Sequence, residues 1–249
     1  MHVPGISKKL LRLLSWRASV KRESLLPDPS DEQPLRAELF SIDQLERHAK
    51  AIAAVHVLAS GRARDQLLPR LDDNQRVLNE TYDLVTAAVA QDRRIEPAAE
   101  WLLDNFYLVE EQIRAIRRLL PPSYSRELPR LASGPAATLP RAYAIALELI
   151  AHVDGRIDAA SLNSFIASYE TVVPLKLGEL WALPLMLRLA LIENLRRVAV
   201  RIAAARRHRD LAGDWAVRMV EVVEQKPTDL ILVLADMARG AIATWNDPR

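Results

Sequence analysis

A chain of 249 residues and 28.0 kDa, half hydrophobic and 27% charged, can bury a sizeable core in one or two domains and is not composed for long-range disorder. It has no cysteine, which excludes disulfides, thiolate metal sites and cysteine nucleophiles, and its 7 glycines, against roughly 17 at average usage, disfavour a hairpin-rich sheet. Lys and Arg number 34 against 32 Asp and Glu, a net charge of +2 that is too balanced to mark a nucleic-acid binder.

Residues 6–22 carry Lys8, Lys9, Arg12, Arg17, Lys21 and Arg22 and no acid, interleaved with Leu10, Leu11, Leu13, Leu14 and Trp16. The pattern fits a basic amphipathic helix lying on an anionic membrane surface. It equally fits a short arm docked on the body. No uninterrupted apolar stretch follows the charges, so it does not read as a secretion signal. Pro27, Pro29 and Pro34 among closely spaced charges make residues 23–40 a linker. The first unit is therefore residues 1–40, a basic segment plus a proline-rich linker.

From Ser41 the pattern is helical. Ser41 with Gln44 forms a capping box, and Leu45, Ala49, Ile52 and Val55 follow at helical spacing, with an end expected near Ser60-Gly61. A second helix is expected over Leu71–Ala90 and a third from Pro97, carrying Trp101, Leu102, Phe106, Val109, Ile113 and Ile116 to a stop at Pro121-Pro122. Ser123–Pro135 reads as an ordered loop. Pro140 opens a fourth helix, closed by Asp154-Gly155, and Asp158 caps a fifth. The longest helix spans about Leu177–Arg206, with a kink or break expected near Ala182 because of Pro184. A seventh covers Asp210–Glu224. Thr228 or Asp229 caps the last, and Gly240–Arg249 loses the pattern.

The expected fold is all-α. About eight helices form an irregular bundle around a kinked, buried long helix, with the helical domain at 41–239 and an irregular tail at 240–249. No P-loop, dinucleotide fingerprint or alternating strand pattern occurs. No apolar run reaches the roughly 20 residues of a membrane span. The five histidines, at 2, 48, 56, 152 and 208, form no His-x-x-x-His or His-x-x-Glu-His zinc pattern, so no metal ligands are assigned from sequence.

Three segments together carry a resemblance: Trp101–Ile113 (WLLDNFYLVEEQI), Tyr124–Pro129 (YSRELP) and Leu177–Arg197 (LGELWALPLMLRLALIENLRR). In this order they resemble the N-terminal region of bacterial cyclic β-1,2-glucan synthases, over about Leu68 to Arg239. Members of that family are very large inner-membrane enzymes. They join such a region to a processive glycosyltransferase that uses UDP-glucose and to carbohydrate-active domains of the glycoside-phosphorylase type. The resemblance implies a truncated fragment of such an enzyme, placed at the cytoplasmic face of the bacterial inner membrane. It implies partners in the remaining synthase domains; the alternative, drawn from the residues, is a free-standing helical adaptor that binds another protein or an anionic membrane surface, and the balanced charge gives no nucleic-acid partner. UDP-glucose and a divalent metal are implied for the parent enzyme alone, and no cofactor for this chain.

The residues themselves supply no catalytic set. Asp-x-Asp and Gln-x-x-Arg-Trp, expected of such transferases, are both missing. Glu100, Asp104, Glu110 and Glu111 form an acidic row facing Arg114, Arg117 and Arg118, which reads first as a solvated face with intrahelical pairs. The sharper alternative puts Trp101, Asp104, Asn105, Tyr107 and Glu111 in a sugar-facing or partner-facing groove, although packing is the expected role of Trp101. Tyr124, Arg126 and Glu127 sit in a proline-bounded strap or binding loop. His152 beside Asp154 reads as a histidine at a helix C-terminus. Arg188, Glu193 and Asn194 interrupt the apolar long helix and are expected in an interhelical polar network, with Arg188 paired because an unpaired buried charge is costly. Arg196, Arg197 and Arg201 join Lys8, Lys9 and Arg12 as candidates for anionic-surface contact. The alternative is a wet helix face.

Overall fold

The computed structural model describes residues 26–27, 33–35, 37–61, 64–225 and 227–245. Lys8, Lys9, Arg12 and the rest of the basic segment lie outside them. Eight α-helices and one 3-10 turn are present among the described residues, with no strand. The helices are α1 (Ile42–Val55), α2 (Leu67–Ala90), α3 (Pro97–Leu119), α4 (Pro122–Glu127), α5 (Arg141–His152), α6 (Ala159–Glu170), α7 (Leu177–Gln225) and α8 (Leu230–Trp245). The all-α expectation holds.

Start signals worked where they were chemically explicit. The Ser41 side chain accepts from the Gln44 amide, and Gln44 Oε1 accepts from the Ser41 amide at 2.8 Å, the reciprocal box the spacing predicts. Asp158 Oδ1 accepts from the Ser161 amide at 2.7 Å to open α6. Pro97 and Pro140 sit at the starts of α3 and α5. Asp154 and Gly155, at φ 51° and 72°, make the left-handed turn after α5.

Five boundaries differ from expectation. α2 starts at Leu67, one turn before the expected Leu71. α1 stops at Val55, because residues 57–59 leave the helix to pair with the 130–132 segment: Ala59 N donates to Arg130 O and Ala132 N to Val57 O, each at 2.8 Å. The Ser123–Pro135 stretch contains a six-residue helix, α4, started by the Pro121-Pro122 pair. The long helix and the expected seventh are one helix of 49 residues, about 74 Å at 1.5 Å per residue, which runs on past Ala182 with Pro184 inside it. Finally, α8 continues to Trp245, through residues 240–245 of the stretch expected to be irregular.

Helix α7 is the hub. It packs against α2, α3 and α5, α1 packs against α6, and the end of α7 packs against the 3-10 turn (Pro227–Asp229) and α8. The main core gathers Leu45, Leu71, Leu78, Leu102, Ile113, Tyr143, Phe165, Tyr169, Met186 and Leu189. Small residues at Ala142, Ala144 and Ala146 leave α5 buried nearly all round.

On α7, Trp181, Pro184, Arg188 and Leu191 are all exposed, at spacings of three and four. That stripe is the solvent face. It is where a proline does least harm, since water can satisfy the carbonyl that loses its donor. Arg188 therefore needs no partner, contrary to the sequence expectation. Replacing it with methionine should leave stability within about 0.5 kcal/mol of the original, as measured by urea unfolding.

Candidate functional site

A buried polar network stands on the long helix, centred on Glu193; of the other two residues expected in it, Arg188 is exposed and Asn194 bonds to the Leu35 amide instead. The Glu193 side chain is fully buried on α7. Arg70 of α2 grips it with two bonds, Nε to Oε2 at 2.7 Å and Nη2 to Oε1 at 2.6 Å. Asn74, one turn further along α2, donates at 3.3 Å, and the Tyr143 hydroxyl of α5 at 3.4 Å. Arg197 donates to Oε1 at 3.1 Å, and Arg196 Nη2 lies 3.9 Å away. One carboxylate thus ties α2, α5 and α7 together. Burial pushes this carboxyl up, but the Arg70 bonds and charge, with Arg196 and Arg197, outweigh burial and hold it down at about 2. Burial and the adjacent carboxylate push the Tyr143 hydroxyl up, so it remains a donor at physiological pH.

A second buried pair stands at the start of α7. Arg141 and Glu179 are 1% and 0% exposed, joined by Nε–Oε1 at 2.8 Å and Nη2–Oε2 at 2.5 Å. Arg141 also donates to the Pro174 carbonyl at 3.2 Å and lies over the Tyr169 ring at 5.9 Å. Glu179 Oε2 accepts from the Lys176 amide at 3.0 Å, so the same carboxylate caps α7. Lower on α7, Arg206 grips Asp210 and donates to the Arg94 carbonyl at 3.0 Å, while Arg93 and Arg209 pair with Asp210 and Glu96.

These bonds relocate several sequence candidates. Arg196 and Arg197 turn toward Glu193, and Arg197 also donates to the Gln33 carbonyl at 3.0 Å, so neither offers a free cation to a surface. Of the three α7 cations assigned to anionic contact, Arg201 is exposed. Asn194 accepts from the Leu35 amide at 2.7 Å and pins the linker to α7.

On α3, Trp101 is 53% exposed rather than packed; the buried repeat is Leu102, Phe106, Val109, Ile113 and Ile116. Trp101 falls one position off it. Trp101 and Leu108 line an apolar groove with Leu191, Leu195 and Val198 of α7. Tyr107 faces a different hollow, with Asn79, Tyr82 and Glu110. Asp104 and Glu111 are exposed, and Asn105 donates back to the Trp101 carbonyl at 2.8 Å. The proposed groove residues therefore divide between two faces.

Tyr124 ties α4 to α7 through its hydroxyl, which donates to the Gly178 carbonyl at 2.7 Å. Arg126 and Glu127 are exposed and line an open cleft of about 530 Å³ with Leu58, Arg130 and Lys176. Sequence reasoning missed Arg70, Asn74, Tyr143, Arg141 and Glu179. The visible signal for the last two was a charge in the first turn of a helix that is otherwise largely apolar.

No protein-family model matches the chain. Comparison with curated proteins finds a cyclic β-(1,2)-glucan synthase of Rhizobium meliloti, 34% identical over 200 residues. The match takes in 80% of this chain and 7% of the relative, so the chain spans a small fraction of that enzyme's length. The resemblance expected from the sequence is thereby supported by alignment. No helix among the described residues is long and apolar enough to cross a membrane.

Proposed function

We propose that this chain is a non-catalytic helical module, equivalent to the N-terminal region of a cyclic β-1,2-glucan synthase, that scaffolds the membrane-embedded transferase from the cytoplasmic side. The 200-residue similarity to such a synthase carries the reading. The chemistry of the described residues supports it. The buried carboxylates of Glu193 and Glu179 are spent on arginines and helix amides, which is the work of fixing helix register rather than of activating a sugar. UDP-glucose and its metal belong, in this reading, to the transferase domain of the parent enzyme.

The partner contact falls on apolar surface. Val217, Val220 and Val223 near the end of α7 and Ile231, Leu232 and Leu234 near the start of α8 are exposed, and a neighbouring domain would cover them. The second reading, a free-standing adaptor, draws on the Trp101–Leu191 groove as a seat for a partner helix.

Complementation tests the first reading. A synthase lacking the matching stretch is co-expressed with this chain, and cyclic glucan is measured along with co-purification of the two proteins. Restored glucan and a stable complex are expected. Failure of both removes the scaffold role, and release of UDP from UDP-glucose and Mg²⁺ by the purified chain alone removes the non-catalytic assignment.

A further inference from the structure

Away from the α7 networks, two histidines and a carboxylate converge where α1 meets α5. His48 comes from α1; Glu148 and His152 lie one turn apart on α5. His48 Nε2 is 3.0 Å from Glu148 Oε2, and His152 Nε2 is 3.8 Å from the same oxygen. One ligating atom from each residue lies within 4.8 Å of the other two.

The His152 ring is held in one orientation. Its Nδ1 is 2.8 Å from the Glu38 carbonyl oxygen, which can only accept, so Nδ1 carries the hydrogen. In the neutral ring Nε2 then bears the lone pair, and it lies 3.8 Å from Glu148 Oε2, too far for a hydrogen bond. Phe40 stacks flat on the same ring, with centroids 3.9 Å apart and 9° between planes. A backbone carbonyl on one ring nitrogen and a free lone pair on the other is the usual support of a metal-bound histidine.

We propose that His48, Glu148 and His152 form a binding site for a divalent transition metal, with Zn²⁺ the best fit. Two imidazoles and one carboxylate match its preferences and do not suit Mg²⁺ or Ca²⁺. Ligand atoms around tetrahedral Zn²⁺ stand roughly 3.3 Å apart, given bonds of about 2.0–2.1 Å. The observed 3.0 and 3.8 Å separations bracket that value. Glu148 is 43% exposed, so its carboxylate can rotate to close the shell, and a water completes the fourth position from the solvent side. The site joins three pieces of chain. It crosslinks α1 to α5 and, through the Glu38 carbonyl and Phe40, clasps the segment that leads into α1. That segment already pairs with the end of α5 through Ala37 N to Ala151 O at 2.9 Å and Phe40 N to His152 O at 3.1 Å. The bound ion is structural and independent of the scaffold reading.

Co²⁺ and Zn²⁺ titrations of the full, chelator-treated chain test the site. Co²⁺ should develop the visible d–d bands of a four-coordinate N/O site, saturating at one equivalent and bleached by Zn²⁺, and Zn²⁺ should raise the melting temperature. His48→Asn and Glu148→Gln should each weaken binding by more than about 100-fold, beyond the 10–100-fold typical of outer-shell partners. Glu148→Gln can keep a hydrogen bond to His48, and circular dichroism confirms that both variants are folded. His208→Gln should bind as the original does. Absence of the Co²⁺ bands at excess metal, or bands and affinity unchanged in both ligand variants, overturns the proposal.

Discussion

Glu193→Gln should destabilise the fold by about 3–5 kcal/mol, the usual loss when one partner of a buried charged network is removed. For a chain of this size that corresponds to a fall of roughly 6–20 °C in melting temperature. The mechanism is specific. Arg70, Arg196 and Arg197 would remain clustered around a neutral amide, and Asn74 and Tyr143 would lose their charged acceptor. The same carboxylate predicts the acid limb of the stability curve. Its folded-state pKa, about 2, lies below the ordinary 4.5 that it recovers on unfolding, so the unfolded chain binds the proton more readily between those values. Stability from this group is complete above about pH 4.5 and disappears as pH falls toward 2, an effect of about 3 kcal/mol. Urea unfolding at a series of pH values checks both claims. The Glu193→Gln curve should be flatter between pH 5 and about 2 than the original, and parallel curves would show that Glu193 is not held ionised by its arginines.

The outline of the bundle was legible because helix signals are local. A capping box, an aspartate cap and proline starts sit within a few residues of what they control, and each was found where expected. What failed was long-range. Nothing near Val55 shows that residues 57–59 will pair with 130–132, more than seventy positions on. The partners of Glu193 lie 123 residues back at Arg70 and 50 residues back at Tyr143. Two misplacements were avoidable. The exposed series Trp181, Pro184, Arg188 and Leu191 shows that the proline and Arg188 share a face, and a mid-helix proline points to solvent. Likewise, the buried α3 repeat from Leu102 to Ile116 passes Trp101 by one position. In both cases strict helical periodicity was a better guide than residue type. The His48–Glu148–His152 cluster escaped motif reading because its pairing spans about 100 residues, and a Glu-x-x-x-His pair on one helix is common without a third ligand.

Arg141→Met should cost about as much as Glu193→Gln, roughly 3–5 kcal/mol, but for a different reason and with a different rescue. Glu179 is held by this one arginine and by the Lys176 amide, so removing Arg141 leaves a carboxylate 0% exposed with a single donor at the first turn of α7. The cation over Tyr169 is lost with it. The pair links the start of α5 to the start of α7, so the consequence should concentrate there, with faster amide exchange over the first turn of α7. The double variant Arg141→Met with Glu179→Leu separates the two contributions. Removing both charges spares their joint desolvation, so the double should recover to within about 1 kcal/mol of the original or exceed it. Arg141→Lys should fall between, since it keeps the charge but loses the planar fork that reaches both carboxylate oxygens and the Pro174 carbonyl. If the double variant were as unstable as Arg141→Met alone, the loss would lie in packing against Tyr169 rather than in the stranded carboxylate. If Arg141→Met matched the original, the pair would not be buried.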